Sequence, residues 1–376
     1  MTIGIDARFY GDFGIGRVLV NLLRNLEKID SETNYVVFLK EDNFDQYHPE
    51  QPNFKKVVAN VGWYSISEQI LLPRIFSREK LDLLFVPHLN IPVFYPGKMV
   101  VMIHDLIITE FKGQKATLRN PLLYNFKHLS YQVVLNRAVR KAEKIIVPSL
   151  VVKEKLIGKF SLPEDRIAVI AEAADETFGD KLTQEEKASV RERYHVNDFI
   201  LAVGNNSPHK NLELLVEVAG SLKGVKIVLV SPENEFLRRL KRQAIDNGVL
   251  EKIVFTGRVG DSDLKDLYQT ATAFVFPSFE EGFGLPGLEA MSVGLPVLVS
   301  DIPVFKEVYG EAAMYFDPQD KEDLITRINI LLKEKEIREK YIRLGKDQVK
   351  KYSWEKFSRE TRKVLLDVLA EEKTTS

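Results

Sequence analysis

Residues 273–289, read AFVFPSFEEGFGLPGLE, join a short apolar run to a glycine-rich loop and then to the start of a predicted helix. The run Ala273–Ser278 has the composition of a buried strand, and Pro286 suits the first position of a helix. A strand that turns tightly into a helix is the building unit of an α/β fold. The N–H groups at such a helix start can bind an anion. Glu281, and Glu289 in the predicted first turn, can then hydrogen-bond hydroxyl groups of the molecule that carries the anion.

The same alternation of apolar runs and helical patterns continues along nearly the whole chain, which predicts mostly parallel sheets covered by helices on both faces. In the first half, strands are predicted at Thr2–Ala7, Asn34–Leu39, Lys55–Asn60, Leu83–Pro87, Met99–Asp105, Lys144–Ser149 and Arg166–Glu172. In the second half, they are predicted at Phe199–Gly204, Val225–Ser231, Lys252–Gly257, Ala273–Ser278, Pro296–Asp301 and Ala312–Asp317.

This pattern predicts an α/β fold with two doubly wound, Rossmann-like parallel-sheet domains that face a cleft. The N-terminal domain is expected over residues 1–174 and the C-terminal domain over 198–352, with a polar linker at 175–197. A last helix, 353–370, is expected to pack back on the first domain, with Ser353 as its N-cap. Ligands of such sheets bind at the carboxyl ends of the strands.

The bulk composition narrows the class of protein. A chain of 376 residues fits two domains of ordinary size, and 45% hydrophobic content supports two cores. The net charge of −1 gives no global field that would select nucleic acid. The sequence contains no cysteine, which is compatible with a reducing cytoplasm. The N-terminus does not resemble a signal peptide, and no apolar run reaches the ~18 residues of a spanning helix.

A second stretch with possible chemistry is Gly204–Asn211, read GNNSPHKN, which follows a predicted strand. It places Lys210 ahead of a predicted helix, where the helix dipole disfavours a cation. A bound phosphate explains a lysine at this place better than stability does. An ordinary surface lysine near a helix start is the alternative.

Two stretches of the first half carry weaker signals. Gly11–Arg17, read GDFGIGR, is a glycine-rich turn that can approach a phosphate, although its spacing differs from the dinucleotide-binding fingerprint. Glycines that serve a tight turn are the alternative explanation. His104 ends the predicted strand Met99–Asp105, at the edge where ligands bind in this fold class. A histidine that hydrogen-bonds the backbone at a strand end is the alternative there.

One motif is set aside. Asp261-Ser262-Asp263 spells a DxD pattern that binds divalent metal in some enzymes. Here it precedes Leu264 and Leu267, and an N-cap of a short helix explains it. With six histidines and no cysteine in the chain, we expect no metal requirement and no cofactor.

Taken together, these residues resemble the retaining GT-B glycosyltransferases of family four. The motifs occur in that family's order along nearly the whole chain: Gly4-Ile5-Asp6-Ala7-Arg8, Gly14-Ile15-Gly16-Arg17, Ile103-His104-Asp105, Lys210-Asn211, Glu281–Glu289 and Ser353-Trp354. The spaced glutamate pair with glycines between is the specific signal, and the other motifs are moderate or weak when taken alone.

The resemblance implies roles for individual residues. Lys210 is similar to the cation that binds the donor diphosphate, Glu281 to the contact with the sugar's 3-hydroxyl, and Glu289 to the ribose ligand. His104 is similar to the residue near the 6-hydroxyl of the transferred sugar. Further donor-binding positions implied by the resemblance are Gly14 and Gly16 at the diphosphate and acceptor, Arg258 and Val259 at the base, and Gly282, Phe283, Gly284 and Leu285 beside the sugar.

The chain departs from the family at the diphosphate. Many members have arginine where this sequence has Asn205, and relatives often have arginine where His209 precedes Lys210. Stabilisation of the leaving group is therefore expected to depend on Lys210 and the helix start, with His209 or Arg258 as a possible second charge.

The expected activity is retaining transfer of a hexose from a nucleotide-sugar to a saccharide or lipid-linked saccharide, by a metal-independent front-face mechanism. The resemblance favours GDP-mannose as donor and leaves UDP-sugars open. A nucleotide-sugar epimerase, a sugar phosphorylase and an inactive transferase-like scaffold are the alternatives. A scaffold has no need of the charges of Lys210, Glu281 and Glu289.

The window Lys112–Lys144 contains eight basic residues, one acidic residue and many apolar ones. It either docks on an anionic membrane surface, which would suit a lipid-linked acceptor, or forms a solvated helix face over the core. The expected location is the cytoplasm, with possible peripheral attachment to the inner face of the cell membrane.

Overall fold

The computed structural model describes residues 1–12, 14–63, 65–107, 121–175 and 181–371, and only the backbone of 121–128 and 130. Within the basic window Lys112–Lys144, residues 112–120 therefore lie outside the described part of the chain. The described residues form two compact units. The first comprises 1–107, 121–172 and 353–371, and the second comprises 173–175 and 181–352.

The first unit is built on a parallel sheet. Its strands are β1 (Thr2–Asp6), β2 (Asn34–Leu39), β3 (Phe54–Val58), β4 (Leu83–Val86), β5 (Met99–Met102), β6 (Lys144–Val147) and β7 (Ile167–Val169). They lie in the order β3-β2-β1-β4-β5-β6-β7, and every pair is parallel. The helices of this unit are α1 (Ile15–Ile29), α2 (Glu41–Phe44), α3 (Ile66–Arg78), α4 (Pro121–Lys141), α5 (Leu150–Phe160) and, from the end of the chain, α14 (Trp354–Ala370).

The C-terminal helix α14 packs on α1 in the first unit. The buried face of α1 carries Leu19, Leu22 and Leu26 at helical spacing. Ser353 caps α14 as predicted, because its hydroxyl accepts the Lys356 N–H at 3.2 Å.

An ion pair between Arg362 and Asp30 joins α14 to the end of α1. Arg362 Nε lies 2.5 Å from Oδ2 of buried Asp30, which also accepts the Tyr35 hydroxyl at 2.9 Å. Burial alone would raise the pKa of Asp30, but the hydrogen bonds from Arg362 and from backbone N–H groups lower it well below its usual range.

The second unit is built on a six-stranded sheet. Its strands are β8 (Phe199–Val203), β9 (Lys226–Val230), β10 (Ile253–Gly257), β11 (Ala273–Phe276), β12 (Val297–Ser300) and β13 (Met314–Phe316). They lie in the order β10-β9-β8-β11-β12-β13, again all parallel. The helices are α6 (Gln184–Arg193), α7 (Leu212–Ala219), α8 (Glu235–Asp246), α9 (Asp261–Thr270), α10 (Leu285–Ser292), α11 (Pro303–Tyr309), α12 (Lys321–Lys333) and α13 (Lys335–Val349).

The strand order of the second sheet reverses beside β8. The chain leaves β8 toward β9 and β10, and it then returns to β11 on the other side of β8. The loops that follow β8 and β11 therefore leave the carboxyl edge in opposite directions. Open α/β sheets bind ligands at such a switch point.

The structure differs from the sequence expectation between the two sheets. Within the run 175–197, predicted as a linker, α6 spans Gln184–Arg193 and packs on α9 of the second unit. Thr183 and Glu186 form a capping box that starts this helix. Residues 176–180 of the same run lie outside the described part.

The prediction that Asp261-Ser262-Asp263 caps a helix is also corrected in detail. Gly260 is the N-cap of α9, and both aspartates lie in its first turn, where the helix dipole favours them. Asp263 forms an ion pair with Arg193 at the end of α6. In the part of the chain that the structure describes, no group of three or more candidate metal ligands occurs.

Several predicted strands end earlier than expected at their carboxyl ends. The run Ala273–Ser278 is a strand only to Phe276, since Pro277 has no N–H to donate to the sheet. Met99–Asp105 is a strand only to Met102. The residues beyond these ends turn into the loops that carry the site residues. None of the described helices is both long and apolar enough to cross a bilayer.

Replacing Arg362 with leucine should lower the free energy of unfolding by about 1–3 kcal/mol, because Asp30 would keep its charge in a buried place with fewer donors. The measurement is urea denaturation. Arg359→Leu on the same helix is the matched control, since its pair with Glu355 is exposed and should contribute less than about 1 kcal/mol. Equal losses in the two variants would contradict the role given to this ion pair.

Candidate functional site

The loop after β8 presents Lys210 at the carboxyl edge of the second sheet. A single 3₁₀ turn, Pro208–Lys210, follows the strand, and Asn211 takes a left-handed conformation at the start of α7. The Asn211 side-chain amide donates to the Pro318 carbonyl at 3.0 Å and fixes this turn. Lys210 therefore lies before the helix rather than in it.

The loop after β11 presents Glu281 to Lys210. Lys210 Nζ lies 2.6 Å from Glu281 Oε1, and the hydroxyl of buried Ser278 donates to the same oxygen at 2.6 Å. Both partners of the ion pair are mostly buried, with side-chain exposures of 15% and 9%. Lys210 Nζ also lies 5.2 Å from the centre of the Phe276 ring. Two residues that are 71 positions apart in sequence thus form one ion pair at the switch point.

The backbones of the two loops are joined directly. The N–H of Phe279 donates to the carbonyl of His209 at 2.8 Å. Burial and the neighbouring charge of Lys210 lower the pKa of His209 to about 4, against the opposing effect of Glu281. His209 is therefore neutral at neutral pH in this arrangement.

The glycine-rich turn that leads into α10 is held by a tyrosine from α11. Gly284 has φ of 117°, a value that favours glycine, and it is the N-cap of α10. The Tyr309 hydroxyl donates to the Gly284 carbonyl at 2.5 Å, and a Cβ atom on Gly284 would collide with it. Gly282 is buried, and the ring of Phe283 packs edge-on against Tyr352 with centroids 5.7 Å apart.

The helix register corrects two expectations. Leu285 is the first residue of α10, so Pro286 occupies the second position rather than the first. Glu289 is consequently the fifth residue and lies in the second turn, not in the first. It is buried, and its Oε2 accepts the Tyr268 hydroxyl at 3.1 Å.

The remaining second-unit candidates lie on the same sheet edge. Asn205 is exposed, and its side-chain oxygen accepts the Ser207 N–H at 3.3 Å. Arg258 is exposed and Val259 is half-buried, directly after β10. Because β9 lies between β10 and β8, these two residues are two strands away from the loop of Lys210.

In the first unit, His104 is held at both ring nitrogens. Nδ1 lies 2.9 Å from Oε1 of buried Glu172, and Nε2 lies 3.0 Å from the Pro87 carbonyl. Burial would lower the pKa of His104, but the hydrogen bond and charge of Glu172 outweigh it and raise the pKa. The contact with Pro87 is the strand-end backbone bond that the sequence left as the alternative. The partner Glu172 was not found from the sequence, because 68 residues separate it from His104.

The candidate glycines of the first unit belong to the turn between β1 and α1. Gly14 is the N-cap of α1. Gly16 lies so close to the Phe9 carbonyl that a Cβ atom would collide with it. The glycine at this place is therefore required by close packing of the turn, whatever else the turn contacts.

A buried charged network beside this turn was missed by sequence reasoning. Arg8 donates to both carboxylate oxygens of Asp6 at 2.8 Å and to Glu68 at 2.9 Å, and all three side chains are buried. Asn90 donates to the same Glu68 oxygen at 2.6 Å. Burial would raise the pKa of Asp6, but Arg8 and His88 outweigh it and hold the pKa below its usual range. The opposite charges of Asp6 and Arg8 in GIDAR were the available signal. Glu68 joins the network from the first turn of α3, and Asn90 joins it from the segment after β4, and both are distant in sequence.

Two protein-family models match the chain in sequence order. The model described as Glycosyltransferase Family 4 matches residues 14–178, and the model described as Glycosyl transferases group 1 matches residues 183–348. The chain therefore belongs to the glycosyltransferases that combine these two domains, and it is an enzyme of that class with the GT-B architecture. The resemblance to GT-B glycosyltransferases of family four is confirmed.

Curated relatives include several mannosyltransferases. An O-antigen chain mannosyltransferase of Salmonella typhimurium is 26% identical over 264 residues, covering 69% of this chain and 67% of that protein. An O-antigen chain mannosyltransferase of Escherichia coli is 31% identical over 238 residues, covering 60% and 61%. A serotype-specific mannosyltransferase of Escherichia coli is 32% identical over 242 residues, covering 61% and 28%. The chain thus spans between 28% and 67% of the length of these relatives.

Solved structures share the fold at low identity. A sucrose-phosphate synthase from Thermosynechococcus elongatus matches with a TM-score of 0.80 and 16% identity, covering 99% of this chain and all of that one. A glycosyltransferase involved in lipopolysaccharide biosynthesis matches with a TM-score of 0.76 and 14% identity, covering 97% of this chain and 99% of that one. At these identities the likeness concerns the fold, and it confirms the predicted pair of parallel-sheet α/β domains.

Replacing His209 with glutamine should remove a pH dependence of stability. The unfolded chain protonates His209 near pH 6.5, whereas the folded chain does so near pH 4, so stability is full above pH 6.5 and is lost as the pH falls toward 4. Wild type should therefore lose stability relative to His209→Gln over this window, as measured by denaturant unfolding at several pH values. Exposed His48→Gln is the control and should follow wild type. Parallel profiles of wild type and His209→Gln would contradict the assignment.

Proposed function

We propose that the protein transfers a hexose from a nucleotide-sugar to a hydroxyl of a saccharide or lipid-linked saccharide, with retention of configuration and without a metal ion. The observation that carries this proposal is the pair of Lys210 and Glu281, held 2.6 Å apart at the switch point of the second sheet. The two residues lie in the loops on either side of this switch point, and the loop of Glu281 leads into the start of α10.

The diphosphate of the donor fits this place for electrostatic reasons. The start of α10 offers the positive end of a helix dipole, and Lys210 adds a full charge. Lysine has three N–H donors, so Lys210 can keep Glu281 and still donate to a phosphate oxygen. With Glu281 fixed by Lys210 and Ser278, its second oxygen is in our proposal the acceptor for a sugar hydroxyl. The ribose contact is assigned to Glu289, and the base to the backbone of Arg258 and Val259.

The transfer step forms a bond between the anomeric carbon and the acceptor oxygen and breaks the bond between that carbon and the phosphate oxygen. In the front-face mechanism that we propose, the departing phosphate oxygen takes the proton of the acceptor hydroxyl. Lys210 and the α10 N–H groups stabilise the negative charge that develops on the diphosphate. A double displacement would instead require a carboxylate nucleophile on the opposite face of the sugar.

The donor sugar is proposed to be mannose, carried by GDP. Support comes from relatives named as mannosyltransferases, two of them named for the O-antigen chain. An O-antigen saccharide on a lipid carrier is accordingly our proposed acceptor. We assign the acceptor to the first unit, with the backbone of Gly14 and Gly16 as its candidate contacts, and His104 to the 6-hydroxyl of the transferred sugar. We place the reaction in the cytoplasm.

Lys210→Ala and Glu281→Ala should each reduce kcat by about two orders of magnitude or more, because each removes part of the stabilisation of the leaving group or of the sugar. The assay is release of GDP from GDP-mannose in the presence of a lipid-linked acceptor, with circular dichroism to verify folding. Lys335→Ala, in an exposed pair with Glu339, is the matched control and should retain wild-type turnover. If the two site variants fold and turn over normally, the site assignment is wrong.

GDP should raise the melting temperature of the wild-type protein more than UDP or ADP does at equal concentration. A ligand that binds only the folded state at about 100 times its Kd stabilises it by about 2.7 kcal/mol. Lys210→Ala should lose most of this shift, whereas Lys335→Ala should keep it. A larger shift with UDP would indicate a UDP-sugar as the donor instead of GDP-mannose. The absence of a shift with all three nucleotides would contradict the proposed nucleotide site.

A further inference from the structure

The first sheet has a switch point of its own. The chain leaves β1 toward β2 and β3, and it then returns to β4 on the other side of β1. The loops that follow β1 and β4 therefore flank the place where open α/β sheets bind ligands. Phe9 lies in the first of these loops and His88 in the second, and Trp63 follows β3 at the same carboxyl edge.

The rings of these three residues form one cluster. Phe9 and Trp63 stack face to face, with ring centroids 3.6 Å apart and planes inclined by 14°. The His88 ring packs edge-on against both, at 5.0 Å from Phe9 and 5.6 Å from Trp63. His88 is buried, whereas Phe9 and Trp63 are half-buried. The stacked pair is therefore the outer part of the cluster.

Arg8 supports this stack from inside the unit. Its guanidinium carbon lies 4.2 Å from the centre of the Trp63 ring, and its side chain is buried. Two groups at 3.6 Å and 4.2 Å from the same ring centre would overlap if they lay on one face of that ring. Arg8 and Phe9 therefore lie on opposite faces of Trp63. The layers run outward from the guanidinium through the indole to the Phe9 ring.

The buried network described above fixes the inner layer. Arg8 is held by Asp6 and Glu68, and it also donates to the Val61 carbonyl at 3.4 Å, two residues before Trp63. Buried ion pairs contribute little net stability, because the cost of desolvating the charges offsets their attraction. What this network does provide is a fixed position for Arg8 and for the segment that carries Trp63.

The outer layer is fixed by the glycine turn. A Cβ atom on Gly16 would lie 2.4 Å from the Phe9 carbonyl oxygen, so Phe9 is packed against the turn that contains Gly14 and Gly16. The stacked pair of Tyr35 and Phe54 offers a contrast, since both of its rings are buried in the unit. The pair at the switch point is built as rigidly, yet it remains partly open to a ligand.

We propose that Phe9 and Trp63 form a stacking platform for a pyranose ring of the acceptor saccharide and thereby contribute to acceptor specificity. The face of an aromatic ring carries partial negative charge, and one face of a pyranose presents C–H groups of partial positive charge. The second unit presents charged groups at its switch point, which suit a diphosphate, whereas the first presents rings, which suit a sugar. This inference rests on the proposed transferase function and adds the residues that hold the acceptor ring.

Tryptophan fluorescence tests the platform without any transfer reaction. The chain has two tryptophans, and Trp354 is buried in α14, so the variant Trp354→Phe reports on Trp63 alone. This variant is titrated in the presence of GDP with the methyl α-pyranosides of mannose, galactose and N-acetylglucosamine. At least one pyranoside should change the emission saturably, whereas the linear polyol mannitol should not. Phe9→Leu in the same background should abolish the change.

Steady-state kinetics with a lipid-linked acceptor separate a binding role from a structural one. Phe9→Leu and Trp63→Leu should each raise the acceptor KM by about two- to tenfold, the factor that corresponds to the loss of one aromatic stacking contact. The KM for GDP-mannose and the thermal shift with GDP should stay at wild-type values. Trp63→Phe keeps an aromatic ring at this place and should restore an acceptor KM within about twofold of wild type.

The matched control is Phe160→Leu, at the end of α5 and half-buried in the same unit. Helix α5 follows β6 and runs back toward the amino edge, so this ring lies away from the switch point and its loss should leave the acceptor KM unchanged. No emission change with any pyranoside, or an equal change with mannitol, would overturn the proposal. So would a wild-type acceptor KM in both leucine variants, or an equal rise in the control. Failure of the transferase proposal is distinguishable, because GDP would then give no thermal shift in the wild-type protein.

Discussion

The ion pair between Lys210 and Glu281 is the constraint that organises the candidate site. A mostly buried lysine ahead of a helix start is unfavourable by itself, since burial penalises its charge and the helix dipole opposes it. Glu281 offsets this penalty at 2.6 Å, and Ser278 and Phe276 surround the pair. The contact with Glu281 therefore holds the Lys210 ammonium in a fixed position between the two loops.

Other contacts in the second unit bring Lys210 and Glu281 together. The reversal of strand order between β8 and β11 separates the two loops, and the bond from Phe279 to His209 joins their backbones again. Tyr309 fixes the glycine turn from the neighbouring helix, and burial raises the pKa of its hydroxyl, so it stays a neutral donor. The first unit has a comparable arrangement around Arg8, where buried charges fix the loops that follow β1 and β4.

The local pattern of apolar and polar residues was enough to predict the two sheets and part of the candidate site. Apolar runs located the strands of both sheets, and the mismatch between Lys210 and the helix dipole singled out that residue. What could not be predicted depends on helix register or on distant contacts. Glu289 lies in the second turn and not in the predicted first turn, because the helix begins at Leu285. The position of Pro286 in the sequence does not determine at which residue the helix begins. Helix α6 was missed because its sequence is mostly polar, with Val190 as its buried residue. Glu172 and Tyr309 were missed because their partners are far away in sequence.

The most direct measurement of the central claim is a structure of the protein with a bound nucleoside diphosphate. The account predicts that a phosphate oxygen lies within hydrogen-bond distance of Lys210 Nζ and of N–H groups at the start of α10, with Lys210 still in contact with Glu281. A diphosphate bound elsewhere, with Lys210 and Glu281 unchanged and away from it, would contradict the account.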